Sequence, residues 1–354
     1  MLELPQVPLP DEQMRQAALA RQLRLTKPAG ALGRLEHISG WASAVQGSCP
    51  PVPFAQPRVV VFAGDHGVAT TARTSAYPAE VTAQMVLNFI AGGAAVNVLA
   101  RQAHATVRVV DAAVDCDESY VASIAPDVSR HRIRRGSGSI DREDALTREE
   151  AEAAFAMGRS IADDEIDRGA DLLIPGDMGI GNTTPAAVLT GLLASLDASK
   201  VTGFGTGIDD SAWMRKCAAV RDAMRRGRPA MGDPIALLAT VGGADFAAMT
   251  GFLVQASIRR TPVILDGMIS GACALVADRI DYRARQWWLA GHRSTEPAHT
   301  AALAHLELEP IIDYGMRLGE GTGALLALPV VQSAIALLAE MATFDEAGVS
   351  EQDA

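Results

Sequence analysis

One carboxylate, Glu320, stands between Gly319 and Gly321 in the run RLGEGTGA, residues 317–324, just ahead of a long apolar stretch. Glycine on both sides lets the backbone adopt positive φ and approach a ligand closely. The acid is thereby shown at a turn that leads into a helix, which is how a general base is displayed. The plainer reading is a Gly-rich turn whose Glu is exposed near a helix start, where the helix dipole favours it. Other motifs along the chain weigh on that choice.

GDMGIGNTT, residues 176–184, follows an apolar run at 172–175. It sets Asn182, Thr183 and Thr184 at an expected helix N-terminus, with Pro185 in the first turn. Backbone amides and the positive dipole end attract phosphate at such a place. The run ends in no GK[ST] and is not GxGxxG, so neither a P-loop nor a dinucleotide turn is expected. A simple capping turn is the competing reading. GFGTGIDD, residues 203–210, is a second glycine-dense turn, and Lys216 follows about two helical turns beyond its acids, where an ammonium can neutralise a monophosphate. Asp209 and Asp210 follow glycines rather than a strongly apolar strand, so no metal-diphosphate loop is expected there.

FAGDHGV, residues 62–68, places Asp65 beside His66 at a strand end. Neighbours on a turn seldom face one ion, so structural hydrogen bonding is expected rather than a metal pair. In GHRSTEPAH, residues 291–299, His292, Glu296 and His299 have helical spacing, but Pro297 interrupts them and HExxH is absent. No zinc site is expected. SAYPAEVTAQM, residues 75–85, reads as a helix begun after Pro78. Its Gln84 and Met85 suit one wall of a heteroaromatic pocket, or else an ordinary amphipathic surface helix.

Short apolar runs must position these groups. Residues 58–65, 106–113, 171–177, 261–267 and 286–292 each end in Gly, Asp, Ala or His, and residues 200–207 are a further candidate strand. Runs that are continuously apolar, not alternating, predict strands buried on both faces of a parallel sheet. The spacings leave room for crossover helices, and ligands bind at strand C-terminal ends in open sheets of this kind. A helix is expected over 11–25, an interrupted and restarted one through 27–36, then a Pro-rich link at 49–57. The stretch 324–339 reads as a buried helix, and 141–152 as a solvated helix with its lead-in.

The 354 residues are 49% hydrophobic but only 5% aromatic, so the core must be aliphatic and Ala-rich. A net charge of −11 with both signs interspersed repels phosphate backbones and anionic lipid, which argues against nucleic-acid and membrane partners. The four cysteines show no CxxC spacing, and the start MLELPQVPLPDEQ lacks the basic and apolar regions of a signal peptide. A soluble cytoplasmic protein with reduced thiols is expected.

Taken together and in this order, KPAGALGRLE, FAGDHGV, YPAEVTAQMV, GDMGIGNTTPAA, GTGIDD, DGMISGACAL, GHRSTEPAH and RLGEGTGA resemble the nicotinate-nucleotide:dimethylbenzimidazole phosphoribosyltransferase family. The series covers most of the chain. The resemblance implies an α/β fold: a Rossmann-like parallel sheet with helices on both faces, plus a small helical domain built from both chain ends. The boundaries would be 1–57 for the N-terminal helical segment, 58–323 for the α/β catalytic domain, and 324–354 for the segment completing the small domain. It implies a homodimer that needs no cofactor or metal and acts on nicotinate mononucleotide and 5,6-dimethylbenzimidazole, in cobalamin nucleotide-loop assembly.

Glu320 matches that family's general base. Asp177 stands where the family commonly has Glu, one methylene longer, and is the candidate for stabilising the ribose or its oxocarbenium ion. Gly176, Met178, Gly179, Gly181, Asn182, Thr183, Gly203, Gly205, Gly207 and Lys216 are candidates for the phosphoribosyl site. Gln84, Met85 and Leu318 are candidates for substrate contacts, the first two around the benzimidazole. Two readings compete: a hydrolase releasing nicotinate to water, and a non-catalytic nucleotide or benzimidazole receptor. A receptor has no need of the glycine-flanked acid.

Overall fold

Val59, Val60, Val61, Phe62 and Ala63 are all fully buried. Alternate residues of a strand point to opposite faces, so this run requires cover on both sides of a sheet. In the computed structural model of the chain, which describes residues 4–117, 121 and 123–350, the run lies in a central strand. Among the described residues the sheet has six strands: β1 (Pro57–Gly64), β2 (Thr106–Ala113), β3 (Leu172–Met178), β4 (Val263–Leu265), β5 (Trp288–His292) and β6 (Pro310–Ile312). All pairs are parallel, in the order β2-β1-β3-β4-β5-β6. The chain runs outward from β1 to β2, then returns to the other side of β1 with β3. That reversal opens a crevice beyond the C-terminal ends of β1 and β3.

The helices of eight residues or more are α1 (Glu12–Arg24), α2 (Arg34–Gln46), α3 (Glu80–Ala91), α4 (Ala95–Gln102), α5 (Arg148–Asp167), α6 (Thr183–Leu193), α7 (Asp210–Gly227), α8 (Pro234–Val241), α9 (Ala244–Ile258), α10 (Met268–Ile280), α11 (Pro297–Leu306) and α12 (Thr322–Glu340). Helix α9 lies over β1, β2 and β3 and packs on α5 and α10, while α12 lies over β3 to β6 and packs on α2 and α4. Glycines make the closest of these approaches possible. A Cβ on Gly158 of α5 or Gly251 of α9 would strike the backbone of the other helix, at Ala248 and Phe155 respectively.

The chain ends meet. Helices α1 and α2 pack together and against α12, and Leu25 bridges Thr343 in antiparallel fashion. Ile38, Trp41 and Val45 of α2 join the main core with Leu325, Leu328, Val331 and Ile335 of α12, whereas Ala18, Leu25 and Leu338 form a small separate cluster. The expected buried helix is therefore present, with Pro329 inside it but on its exposed side. The apolar stretch Glu80–Gln102 is long enough to cross a membrane by composition, but Gly92 in a left-handed conformation breaks it into α3 and α4.

Residues 200–207, a candidate strand, form none. The end of a short helix, Ala198–Val201, gives way to a loop with positive φ at Gly205 and Gly207, which extended backbone excludes. Strand β6 was not anticipated, being three half-buried residues at the sheet edge and too short to show a pattern.

Candidate active site

Strand β3 ends in Gly176, Asp177 and Met178, and the Glu320 turn lies against it. A Cβ on Gly176 would collide with the Glu320 carbonyl, so glycine there is what admits the turn. Gly319, Glu320 and Gly321 all have positive φ, at 82°, 64° and 89°. This conformation is routine for glycine and uncommon for Glu. It buries the Glu320 side chain to 4% exposure, and Oε2 accepts from the Val96 amide at 3.3 Å, at the start of α4. Burial, with the charge of Asp266, raises the carboxyl above its ordinary pKa against that hydrogen bond.

Asp177 sits beneath Gly319, whose Cβ would come within 2.9 Å of Oδ1. Asn182 donates from Nδ2 to Asp177 Oδ2 at 2.9 Å. Burial first, then Asp266, Glu320 and Asp245, hold the Asp177 carboxyl well above the usual carboxylate range. Asp266, just past β4, is fully buried beside both acids.

A pocket at these strand ends is lined by Asp177, Met178, Gly179, Asn182, Thr183, Gly205, Thr206, His292, Glu296, Arg317 and Leu318, among others. Lys216 on α7 is buried behind the wall, and Nζ donates to Thr183 Oγ1 at 2.8 Å and to the Gly203 carbonyl at 3.3 Å. Burial lowers its pKa to about 8, opposed by the charge of Glu296. Glu296 Oε1 accepts from the Gly205 amide at 2.8 Å, and Arg317 Nε donates to the Gly205 carbonyl at 3.0 Å. Thr183 opens α6, whose first residues have no side-chain cap. The Thr184 and Ala186 amides are taken by the Gly181 and Asn182 carbonyls, so what this wall offers an anion is the positive end of the α6 dipole with an ammonium behind it.

The structure gathers many of the sequence candidates, in unequal roles. Asp177, Met178, Gly179, Asn182, Thr183, Gly205 and Leu318 line the pocket, and Leu318 is 55% exposed at its mouth. Gly176, Gly181, Gly203 and Gly207 serve the backbone behind it: Gly181 packs on Ala69 and His66, and Gly203 on the Glu296 carboxylate. Glu320 stands behind Gly319, off that wall. Gln84 is exposed on α3 and Met85 half-buried against the core, and neither lines this pocket. Helix α3 instead reaches the site through Thr82, whose hydroxyl donates to Asp65 and accepts from the Ile180 amide.

Asp65 and His66 diverge as expected, Asp65 to Thr82 and the Asp115 amide, His66 to Asp245 Oδ2 at 3.1 Å. Burial raises Asp65 to about 6. Asp209 caps α7 by accepting from the Ala212 amide at 2.7 Å. His292 ends β5, Glu296 precedes α11, and His299 accepts from the Ser294 amide. Arg317, Asp266, Ser294 and the anchoring role of Glu296 escaped the sequence reading. The run TPVILDG, ending in Asp-Gly at a strand end, was the available signal for Asp266.

A parallel α/β sheet with an anion cradle and buried acids at its strand ends defines an enzyme of the nucleotide-handling class. Residues 7–349 match the family described as phosphoribosyltransferase. The nicotinate-nucleotide–dimethylbenzimidazole phosphoribosyltransferase of Mycolicibacterium paratuberculosis is 59% identical over 355 residues, covering 100% of this chain and 99% of that protein. That of Mycobacterium tuberculosis is 57% identical over 350 residues, covering 99% and 95%. The crystal structure of the enzyme so named from Thermus thermophilus has a TM-score of 0.89 at 41% identity, over 97% of this chain and 100% of that one. The chain belongs to this family of phosphoribosyltransferases.

Proposed function

We propose that the chain transfers the phosphoribosyl group of nicotinate mononucleotide to 5,6-dimethylbenzimidazole with inversion, giving α-ribazole 5′-phosphate and nicotinate for the nucleotide loop of cobalamin. The observation that carries the reading is the buried Glu320 on its left-handed turn, its carboxyl raised above the ordinary value by burial and set beside Asp177.

The leaving group is a pyridinium nitrogen. When its bond to the anomeric carbon breaks, the electron pair returns to the ring nitrogen, which leaves neutral without a proton or a metal. One benzimidazole nitrogen supplies the pair for the new bond. The other carries an N–H that becomes acidic as positive charge reaches the ring, and Glu320 accepts that proton. A carboxyl raised above its ordinary value is better matched to taking a proton near neutrality. Asp177 faces the charge that spreads from the anomeric carbon to the ring oxygen. Lys216, Thr183 and the glycine turns hold the 5′-phosphate, so most of the remaining barrier is met by alignment.

In the same reading two copies associate and the enzyme works in the cytoplasm. Exposed Ile90 and Val98 on the apolar helices α3 and α4 support association, and the four free cysteines fit a reducing compartment. The anomeric proton of the riboside product, read by NMR, tests the displacement. An α-riboside is expected, and a β-riboside would exclude direct attack opposite nicotinate.

A further inference from the structure

Helix α12 begins without a side-chain cap of its own: its N-cap is Gly321. Its first amides are nevertheless satisfied. Asp266, arriving from the end of β4, accepts from the Gly323 amide at 2.8 Å and the Ala324 amide at 3.0 Å with Oδ1, and from the Gly321 amide at 3.1 Å with Oδ2. Both oxygens act as acceptors, the pattern of an ionised carboxylate. Gly321 is the residue after Glu320, so one bond of this cap fixes the far side of the left-handed turn. The near side is closed by Thr322 Oγ1, donating to the Gly319 carbonyl at 2.7 Å.

We infer that Asp266 is the positioning residue of the reaction, holding the Glu320 carboxylate in its strained turn and setting the range of pH over which it accepts a proton. The inference rests on Glu320 being the base. Three facts converge on it. A Glu at positive φ needs the surrounding structure to hold it. The holding group comes from a different strand, so no local feature of the turn replaces it. And Asp266 is a negative charge buried beside Glu320, which adds to burial in keeping that carboxyl protonated to higher pH. The other groups facing the pair are Asp177 from β3, beside Glu320; the Val96 amide from α4, on Glu320; and His292 from β5, whose Nε2 lies 3.7 Å from Asp266 Oδ1. Asp245, at the start of α9, acts on Asp177.

Asp266→Asn separates these roles. Its single oxygen can still accept from Gly323 and Ala324, but its NH2 then meets the Gly321 amide, donor to donor, at the turn that carries Glu320. We expect kcat to fall by about 10- to 100-fold, with KM for nicotinate mononucleotide within about twofold. The acid limb of the kcat profile should move to lower pH, since the neighbouring charge that raised Glu320 is gone. Thr322→Val, which loosens the same turn without touching a charge, should lower kcat less and leave the limb in place.

In a Glu320→Gln background, Asp266→Asn should add no further loss, because both act through one carboxylate. Circular dichroism checks folding, and Asp266→Ser, smaller and also uncharged, replaces Asp266→Asn should the latter prove insoluble. An unmoved acid limb, or a full additional loss in the Glu320→Gln background, overturns the positioning role while leaving the proposed function intact. Retained turnover in Glu320→Gln alone overturns both the positioning role and the assignment of Glu320 as the base.

Discussion

The two ends of the site are equally buried and oppositely charged. At one end Glu320, Asp177 and Asp266 crowd together, each with its carboxyl raised, chiefly by burial. At the other, Lys216 stands 1% exposed with its pKa lowered to about 8. Burial drives both toward neutrality, since a charge is costly away from water, but the surroundings differ. The acids reinforce one another, which in the proposed reading suits that end to taking up a proton. The lysine is tied to Thr183 and the Gly203 carbonyl with Glu296 near by, which in the proposed reading keeps that end charged for a phosphate. In that reading one end is chemical and the other grips.

Breaking the acid end should show in rate. Glu320→Gln should lower kcat by about 10²- to 10⁴-fold while nicotinate mononucleotide binds as before, measured by steady-state kinetics and calorimetry. Breaking the cationic end should show in binding. Lys216→Met should reduce kcat/KM for the nucleotide by about 10- to 100-fold, the size of a lost charge-assisted hydrogen bond, mostly through KM.

The grip also has a pH signature of definite sign. The ammonium is the binding form, so affinity for the nucleotide should weaken as pH rises through about 8 in the wild type. Lys216→Met should lose that dependence. Because a bound phosphate stabilises the ammonium, binding above pH 8 should take up a proton, visible as a dependence of binding heat on buffer ionisation. The smallest effect expected is at the boundary between the ends. Asp177→Asn keeps an acceptor for Asn182 but removes the ionisable carboxyl, and kcat should fall about tenfold. Unchanged turnover would remove Asp177 from the reaction.

Much of the chemical end was legible because its signals are local. A Glu between two glycines, an Asp at the end of an apolar run and the turn before Thr183 can each be read from a few adjacent residues. What holds them was not. Asp266 is 55 residues from Gly321 along the chain, and Glu296 is 91 from Gly205. Such pairings come from sheet order, which no local pattern encodes. The strands that could be read were those buried on both faces, such as Val59 to Ala63. Residues 200–207 misled because Val201 and Phe204 among glycines resemble a strand, until positive φ at Gly205 and Gly207 turns the chain. For Gln84 the helix was right, and the residue lies on its exposed face.

The most direct test of the account is nicotinate release from nicotinate mononucleotide, followed by chromatography with and without dimethylbenzimidazole, each with and without chelator. The account predicts release only with the base, matched by one equivalent of an α-riboside and unaffected by chelator. Equal release without the base would show that water is the acceptor and contradict the transfer at the centre of the account.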